Sequence, residues 1–166
     1  MLVLGIDPGT AITGVGIIEV LNGRYRLIDG GVIRTPAHTP MPARLLTIHT
    51  ELTQLIEQHH PTVMAVEQLF HFRNATTVIP VSQARGVVLL VAAQHELPLF
   101  EYTPLQVKMA VVGYGGADKR QVQEMVKQVL KLNMIPKPDD AADALAVAIC
   151  HVNSSTYLEQ GKGVTG

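Results

Sequence analysis

The stretch that most constrains this chain is LVLGIDPGTAITGVGII at residues 2–18, in which an apolar run ends on a carboxylate. LVLGI predicts a buried strand, Asp7 follows it, and a Pro-Gly turn leads into a second strand, TGVGIIEV. YRLIDGGVIR predicts a third strand, which the Asn-Gly signal in LNGR joins to the second as a hairpin. These short connections predict an antiparallel meander with Asp7 at one end, either capping a turn or forming part of a site.

The rest of the chain alternates helical patterns with short strands. Apolar residues spaced from Leu45 to Ile56 predict an amphipathic helix that ends near HHP. TVMAVE, ending on Glu67, and LPLFEY predict two more strands, whereas QLFHFRNATT predicts a loop. Further helices are predicted over VSQARGVVLLVAAQHEL, PLQVKMAVVG, KRQVQEMVKQVLKL and DAADALAVAICHV. Strands joined through helices pair in parallel, so this order predicts an α/β fold whose mixed five-stranded sheet, three antiparallel strands and then two parallel ones, is flanked by helices.

Length and composition favour a single domain. The chain has 166 residues, 47% of them hydrophobic, which is enough for an aliphatic core. We predict that the domain covers residues 1–153 and that residues 154–166 form a disordered, polar tail. Apolar runs such as GVVLLVAA are far shorter than the roughly 20 residues that span a bilayer, and the N-terminus carries no secretory signal. With Cys150 as the single cysteine, these features predict a cytoplasmic protein that does not engage a membrane.

Charge is unevenly distributed along the chain. The formal net charge is −1, yet residues 103–137 contain six lysine and arginine residues and two acidic ones. Such a basic zone beside acidic segments indicates a face that binds polyanions next to a carboxylate-rich pocket. A solvated helix face is the simpler explanation of the same charges.

Four acids stand where the predicted elements can bring them together. Asp7 and Glu67 end buried strands, while Asp140 and Asp143 lie three residues apart at the start of the last helix. Converging carboxylates repel one another unless cations neutralise them, and oxygen ligands suit Mg²⁺ or Mn²⁺. Two such ions are a general solution for hydrolysing a phosphodiester.

Each of these acids also has a purely structural explanation. Asp7 before Pro-Gly is a turn former, and Glu67 after a strand can form a surface ion pair. Asp140 and Asp143 are both favourable at a helix N-terminus, although Asp139, directly after Pro138, is the better candidate for its cap. The joint placement of the four acids favours the metal site.

Five collinear motifs carry a resemblance to a known family. They are GIDPGT with TGVGII, VEQLF with RNA, QARGVVLL, FEYTPLQVKMAVVGYGGADKRQV and DAADALAVAICH. Together they resemble the RuvC-type Holliday junction resolvases from about residue 2 to residue 152. The resemblance implies a ribonuclease H-like fold and a homodimer that cuts four-way DNA junctions by paired symmetric nicks, in homologous recombination and DNA repair. It also implies Mg²⁺, with Mn²⁺ able to substitute and two ions per subunit, and a RuvA–RuvB branch-migration complex as partner.

The matching motifs assign roles to individual residues. Asp7, Glu67, Asp140 and Asp143 match the family's metal-binding carboxylates, and some members have His at the position of Asp140. Lys119 joins them as a catalytic residue that, with Lys108, holds the scissile backbone. Phe70 matches an aromatic that wedges between bases near the junction centre; the alternative is a loop residue folded onto the core. The DNA-binding residues that the resemblance implies are Phe70, Arg73, Asn74, Lys108, Lys119 and Arg120.

Other functions share part of this sequence pattern. A ribonuclease H-like enzyme that trims ribosomal RNA precursors shares the opening motif and the size, but DAADALA and QARG favour the resolvase. Sugar kinases and chaperone ATPases share the opening motif as well, yet they close two such domains around ATP. A junction-binding module without catalysis is disfavoured because all four acids are present.

One helix is predicted to serve assembly. VSQARGVVLLVAAQ is apolar on more than one face, and its small residues Ala84, Gly86, Ala92 and Ala93 permit close approach of a second helix. We expect this segment to form the contact between two subunits related by a two-fold axis. The alternative is a helix buried wholly within its own domain.

Overall fold

The computed structural model describes residues 1–69 and 75–161, and its elements follow the predicted order. The strands are β1 (Leu2–Asp7), β2 (Ile12–Leu21), β3 (Arg24–Arg34), β4 (Val63–Glu67) and β5 (Leu99–Tyr102). The helices are α1 (Met41–His59), α2 (Ala75–Gln94), α3 (Pro104–Val112), α4 (Lys119–Val129) and α5 (Asp139–Gly161).

The strands form one mixed sheet in the order β3-β2-β1-β4-β5. β1 pairs antiparallel with β2 and parallel with β4, β2 pairs antiparallel with β3, and β5 pairs parallel with β4. The hairpin between β2 and β3 turns at Asn22 and Gly23, both with positive φ, as a tight Asn-Gly turn requires. The predicted mixed sheet is therefore confirmed, and β1 is its central strand.

Two helical layers cover the sheet. Helices α3, α4 and α5 pack on one face, where Val107, Val126 and Leu145 join the core. Helices α1 and α2 pack on the other face through residues such as Ile48 and Val88. Both faces of the central strands are therefore buried, and the chain's polar groups are left at the ends of the strands.

Glycines in the strands let α5 lie directly on the sheet. A Cβ atom added at Gly5 would lie 2.1 Å from the carbonyl oxygen of Ala144, and one added at Gly14 would lie 2.1 Å from that of Asp140. Real side chains cannot occupy such positions, so only glycine permits this approach. The first turn of α5 is thereby held close to the end of β1.

Two boundaries differ from the predicted ones. Helix α2 begins at Ala75, within the predicted loop, and contains Pro80, because packing against the sheet outweighs the hydrogen bond that proline cannot make. Helix α5 continues to Gly161, so the predicted domain boundary at residue 153 falls inside a helix. Residues 162–166 of the predicted tail lie outside the described residues.

Helix α2 has one buried and one exposed apolar face. Ala84, Val88 and Val91 are fully buried, whereas Ile79 and Leu90 are 60% and 52% exposed. Within the described residues, Thr76–Gln94 is the one segment whose length and composition would suffice to cross a membrane. Its buried face packs with α1 and the sheet in one hydrophobic cluster.

Candidate metal and nucleic-acid site

Two carboxylates lie side by side at one end of the sheet. Ile6 of β1 is paired with Val66 of β4 in parallel register, so the next residues, Asp7 and Glu67, end neighbouring strands. Their side chains are close enough for the charge of Glu67 to act on Asp7. Neighbouring carboxylates repel each other, which favours the protonated form of one of them.

The first turn of α5 brings two further carboxylates to this end of the sheet. The approach at Gly14 sets Asp140 beside β2, and the negative charges of Asp140 and Asp143 both act on Asp7. The four predicted acids therefore surround one region. Asp139 is the first residue of α5 rather than the residue before it, so it does not stand in the predicted cap position.

Burial and mutual repulsion change the ionisation of these acids. Burial, followed by the charges of Glu67, Asp143 and Asp140, raises the pKa of Asp7 to about 8. Burial also raises the pKa of Glu67 and of Asp143, although Lys119 opposes the rise at Asp143. At neutral pH the site therefore retains a proton that a cation would displace.

A lysine already neutralises part of this charge. Lys119 Nζ lies 2.9 Å from Asp143 Oδ2 and 3.6 Å from Asp139 Oδ2. Lys119 is the first residue of α4, and a capping box formed by Asp118 and Gln121 fixes the start of this helix. Burial lowers the pKa of Lys119, but the hydrogen bond and charge of Asp143 outweigh it and leave the pKa raised, so the lysine remains charged.

A groove of about 210 Å³ opens beside these charges. It is lined by Glu67, Lys108, Lys119 and Asp143, together with apolar residues of α3, α4 and α5. Lys108 projects from α3, whose start is fixed by a capping box of Thr103 and Gln106. Carboxylates on one wall and ammonium groups on another suit a ligand that presents both a cation and phosphate oxygens.

The donor set fits a hard divalent cation, since it consists of carboxylate oxygens. Among the described residues, no three His, Cys, Asp or Glu side chains are close enough to one point to hold an ion as they stand. The raised pKa of Asp7 and the ammonium of Lys119 both reduce the negative charge that a cation would neutralise. Asp7, Glu67, Asp140 and Asp143 are the residues that would hold it.

The structure describes only one of the other predicted DNA-binding residues, Arg120. Phe70, Arg73 and Asn74 fall outside the described residues. Arg120 is exposed and pairs with Glu124 at 2.7 Å, on the surface of its own helix. The helix predicted over KRQVQEMVKQVLKL ends earlier than expected, since α4 ends at Val129 and Lys131 adopts a positive φ.

Sequence reasoning missed the residues that position the acids. Gly5 and Gly14 determine how closely α5 packs on the sheet. Asp139 forms an ion pair with Lys119, which also pairs with Asp143. Glycine inside a strand is a signal of close backbone approach and was available in LVLGI and TGVGII. The pairing of Lys119 with α5 has no such signal, because the two residues are brought together only by the packing of two helices.

A mixed five-stranded sheet with acids at the ends of two neighbouring parallel strands, and lysines beside them, defines a ribonuclease H-like nuclease. The chain belongs to the RuvC family: the family model described as "Crossover junction endodeoxyribonuclease RuvC" matches residues 3–151. Members of this family are metal-dependent nucleases. The predicted family and fold are thus confirmed.

Individual relatives agree with this assignment. "Crossover junction endodeoxyribonuclease RuvC" of Desulfitobacterium hafniense is 59% identical over 163 residues, which cover 98% of this chain and 99% of the relative. The Thermus thermophilus RuvC structure matches with a TM-score of 0.89 at 35% identity, covering 95% of this chain and 96% of that one. T. thermophilus RuvC in complex with a Holliday junction substrate matches with a TM-score of 0.88 at 33% identity, with the same coverage.

These matches decide between the alternatives left open by the sequence. The family model and the relatives cover nearly the whole chain, and both are named as a crossover junction endodeoxyribonuclease. The ribosomal RNA nuclease and the ATP-binding proteins are therefore not favoured.

Proposed function

We propose that this protein resolves four-way DNA junctions by paired symmetric nicks, in homologous recombination and DNA repair. The observation that carries the proposal is a groove lined by two acids and two lysines, next to the further acids Asp7 and Asp140, in a chain of the RuvC family. A relative bound to a Holliday junction supports the choice of substrate.

The acids supply the ligands for catalysis. We propose that they bind Mg²⁺, for which Mn²⁺ can substitute, with two ions in each subunit. The chemistry supplied there is activation of the attacking water and stabilisation of the departing oxygen. The protein's own contribution would be to hold together four carboxylates that repel one another, among which Asp7, with its raised pKa, would lose its proton to the cation.

The lysines hold the strand that is cut. Lys119 stays charged at neutral pH and lies on the same groove as Lys108, so both can bind phosphate oxygens next to the acids. Lys119 also pairs with Asp143, which would be one of the metal ligands, so its ammonium lies between the metal site and the phosphate that it would contact. Arg120, Phe70, Arg73 and Asn74 remain proposed DNA contacts, on the strength of the motifs alone.

Two opposed cuts require two sites, and we propose that the exposed face of α2 joins two copies of the chain. Ile79, Gly86, Leu90 and Ala93 recur at helical spacing on this face and are all exposed. Ala84 and Ala92, which the sequence also suggested for the contact, are buried within the domain instead. A four-way junction has a two-fold axis, so an isologous dimer presents one site to each of two opposed strands.

The remaining proposals rest on the resemblance. A resolvase acts after a branch-migration machine has moved the junction, so we infer a RuvA–RuvB complex as partner. Because the proposed substrate is cellular DNA, we also propose that the protein acts in the cytoplasm.

Cleavage of a synthetic mobile four-way junction tests the function. The junction, a matched linear duplex and a ribosomal RNA precursor fragment are incubated with the protein and Mg²⁺, and the products are resolved on denaturing gels. We expect symmetric nicks in two opposed strands of the junction and intact duplex and RNA. Preferential cleavage of the RNA, or equal cleavage of junction and duplex, would contradict the proposal.

A further inference from the structure

A second groove opens at the same end of the sheet, on the face that α1 and α2 cover. It has a volume of about 470 Å³, and its walls include Gly9, Thr10, Ala11, Arg44, Thr77 and Pro80. The groove that contains the lysines lies on the opposite face, under α3, α4 and α5. The two grooves therefore flank the end of β1, where Asp7 stands.

Arg44 is the cationic residue of this second groove, and hydrogen bonds hold it in place. Its Nε donates to Thr35 Oγ1 at 2.8 Å, and a terminal nitrogen donates to the carbonyl oxygen of Thr35 at 3.3 Å. The Thr35 hydroxyl donates to the carbonyl oxygen of Thr10, and its backbone N–H donates to that of Ala11 at 3.0 Å. Arg44 is thereby connected to the loop that directly follows Asp7.

The half-buried guanidinium of Arg44 has hydrogen-bond donors and a positive charge that its contacts with Thr35 do not use. Thr35 uses two of the five N–H groups that a guanidinium offers. Within residues 1–69 and 75–161, no carboxylate forms an ion pair with Arg44. An unpaired charge that is partly removed from water is costly unless a ligand of opposite charge compensates it.

A buried hydroxyl in the same groove is also without a partner. Thr10 is 6% exposed, and among the described residues its Oγ1 makes no hydrogen bond. Buried polar atoms are usually paired, so an unpaired one beside a free cation indicates a polar ligand. Both observations point to an anion with several oxygen acceptors.

We propose that Arg44 binds a backbone phosphate of the strand that is cut, on the opposite side of the scissile bond from Lys108 and Lys119. The inference rests on the proposed function and adds a contact to it. A guanidinium donates two parallel hydrogen bonds to phosphate oxygens, which fixes the direction of the strand as well as binding it. The strand then crosses the end of the sheet from one groove to the other, with Asp7 between its two points of attachment.

A purely structural role for Arg44 would be to hold Thr35 and the loop after Asp7. Salt dependence separates the two roles, because each phosphate contact releases counterions and contributes about 0.9 to the slope of log affinity against log salt. If Arg44 only holds Thr35 and the loop in place, its substitution leaves this slope unchanged even when it weakens binding. The test therefore measures the slope together with the affinity.

The experiment measures binding of a synthetic four-way junction in a chelator, so that no strand is cut, at several salt concentrations. The variants are Arg44→Gln, Arg44→Lys and, as a matched control, Arg24→Gln, which removes an exposed arginine at the far end of the sheet. We expect Arg44→Gln to weaken binding about ten-fold at low salt and to reduce the slope by about 0.9. Arg44→Lys should keep the slope with weaker binding, and Arg24→Gln should resemble wild type.

The outcomes are distinguishable. Arg44→Gln with the wild-type slope overturns the inference, whether or not its affinity or melting temperature falls. If Arg44→Gln does not fold, Arg44→Lys decides: weaker binding with the wild-type melting temperature supports the contact, whereas wild-type affinity, or weaker binding that accompanies a lower melting temperature, overturns it. A loss of slope in Arg24→Gln equal to that in Arg44→Gln also overturns it. Failure of the wild type to prefer a junction over duplex would instead contradict the proposed function.

Discussion

Lys119 and Asp143 form an ion pair of 2.9 Å between the first residue of α4 and the first turns of α5. The same ammonium lies 3.6 Å from Asp139. Lys119 thus places a positive charge beside the acids that would hold a cation. Its ammonium would compete with that cation for Asp143 and would also lie beside the phosphates of the substrate.

This relationship predicts opposite effects of Lys119 on metal binding and on turnover. Lys119→Gln removes the competitor for Asp143, so Mg²⁺ should bind at least as tightly as in wild type. Turnover should fall about 100-fold or more, because one contact to transition-state charge is lost. Titration calorimetry and single-turnover cleavage measure the two effects. Lys131→Gln, an exposed lysine beyond the end of α4, is the control and should retain full turnover. Weaker metal binding in Lys119→Gln would contradict this account.

Asp7→Asn should separate cleavage from binding. The substitution removes a metal ligand and a negative charge that faces phosphate, so cleavage should be abolished while junction affinity is kept or increased. A gel-shift titration and a cleavage assay on the same junction measure both quantities, and chelation of wild type should reproduce the variant. Normal cleavage by Asp7→Asn in Mg²⁺ would show that Asp7 is a turn residue only.

The raised pKa of Asp7 predicts how stability depends on pH without metal. The folded protein keeps the proton of Asp7 up to about pH 8, whereas the unfolded chain releases it near the ordinary value of 3.8. The folded state therefore binds more protons between these values, and its stability falls as pH rises from about 4 to 8. Asp7→Asn should melt about 3 °C or more above wild type at pH 8 in chelator, and close to wild type at pH 4.5. Calorimetry at the two pH values is the measurement, and an equal difference at both would contradict the assignment.

Gly14 should be required for the position of α5. A methyl group at Gly14 would overlap the carbonyl oxygen of Asp140, so Gly14→Ala must push the first turn of α5 away from the sheet. We expect a loss of about 1–3 kcal/mol in the free energy of unfolding and a larger loss of cleavage, because Asp140 and Asp143 move with the helix. Gly31→Ala is the matched control, since a Cβ at Gly31 meets no atom within 4 Å. Equal cleavage by the two variants would show that the height of α5 does not matter.

The exposed face of α2 should determine the oligomeric state. Leu90→Glu places a charge in the proposed contact and should convert a particle of twice 18.0 kDa into a monomer in sedimentation experiments at micromolar concentration. Leu46→Glu, which substitutes a leucine that is 64% exposed on α1, should leave the dimer intact. In a supercoiled cruciform plasmid, wild type should yield linear product, and Leu90→Glu should yield plasmid nicked once. A monomeric variant that still linearises the cruciform in one binding event would refute the two-fold model.

Much of this protein could be predicted from the sequence because local rules operate there. The order of the elements was predicted from the alternation of apolar residues, the Asn22-Gly23 turn and the helical spacing in α1. The connections between strands predicted which strands run parallel. The same rules placed Asp7 and Glu67 at the ends of buried strands. Local rules did not predict the boundaries of α2 and α5. In α2, the burial of Ala84 and Val88 outweighs the tendency of Pro80 to interrupt a helix.

Local sequence patterns were enough to place acids at strand ends and at a helix start, because strands and helices form according to near neighbours in the chain. Folding was needed to pair Lys119 with Asp143, to connect Arg44 through Thr35 to the loop after Asp7, and to rest α5 on Gly14. Such contacts join elements far apart in the chain, so their distances depend on how helices pack on a sheet. The charge of Asp7 also depends on folding, because burial and three neighbouring carboxylates raise its pKa only when the folded chain brings them together.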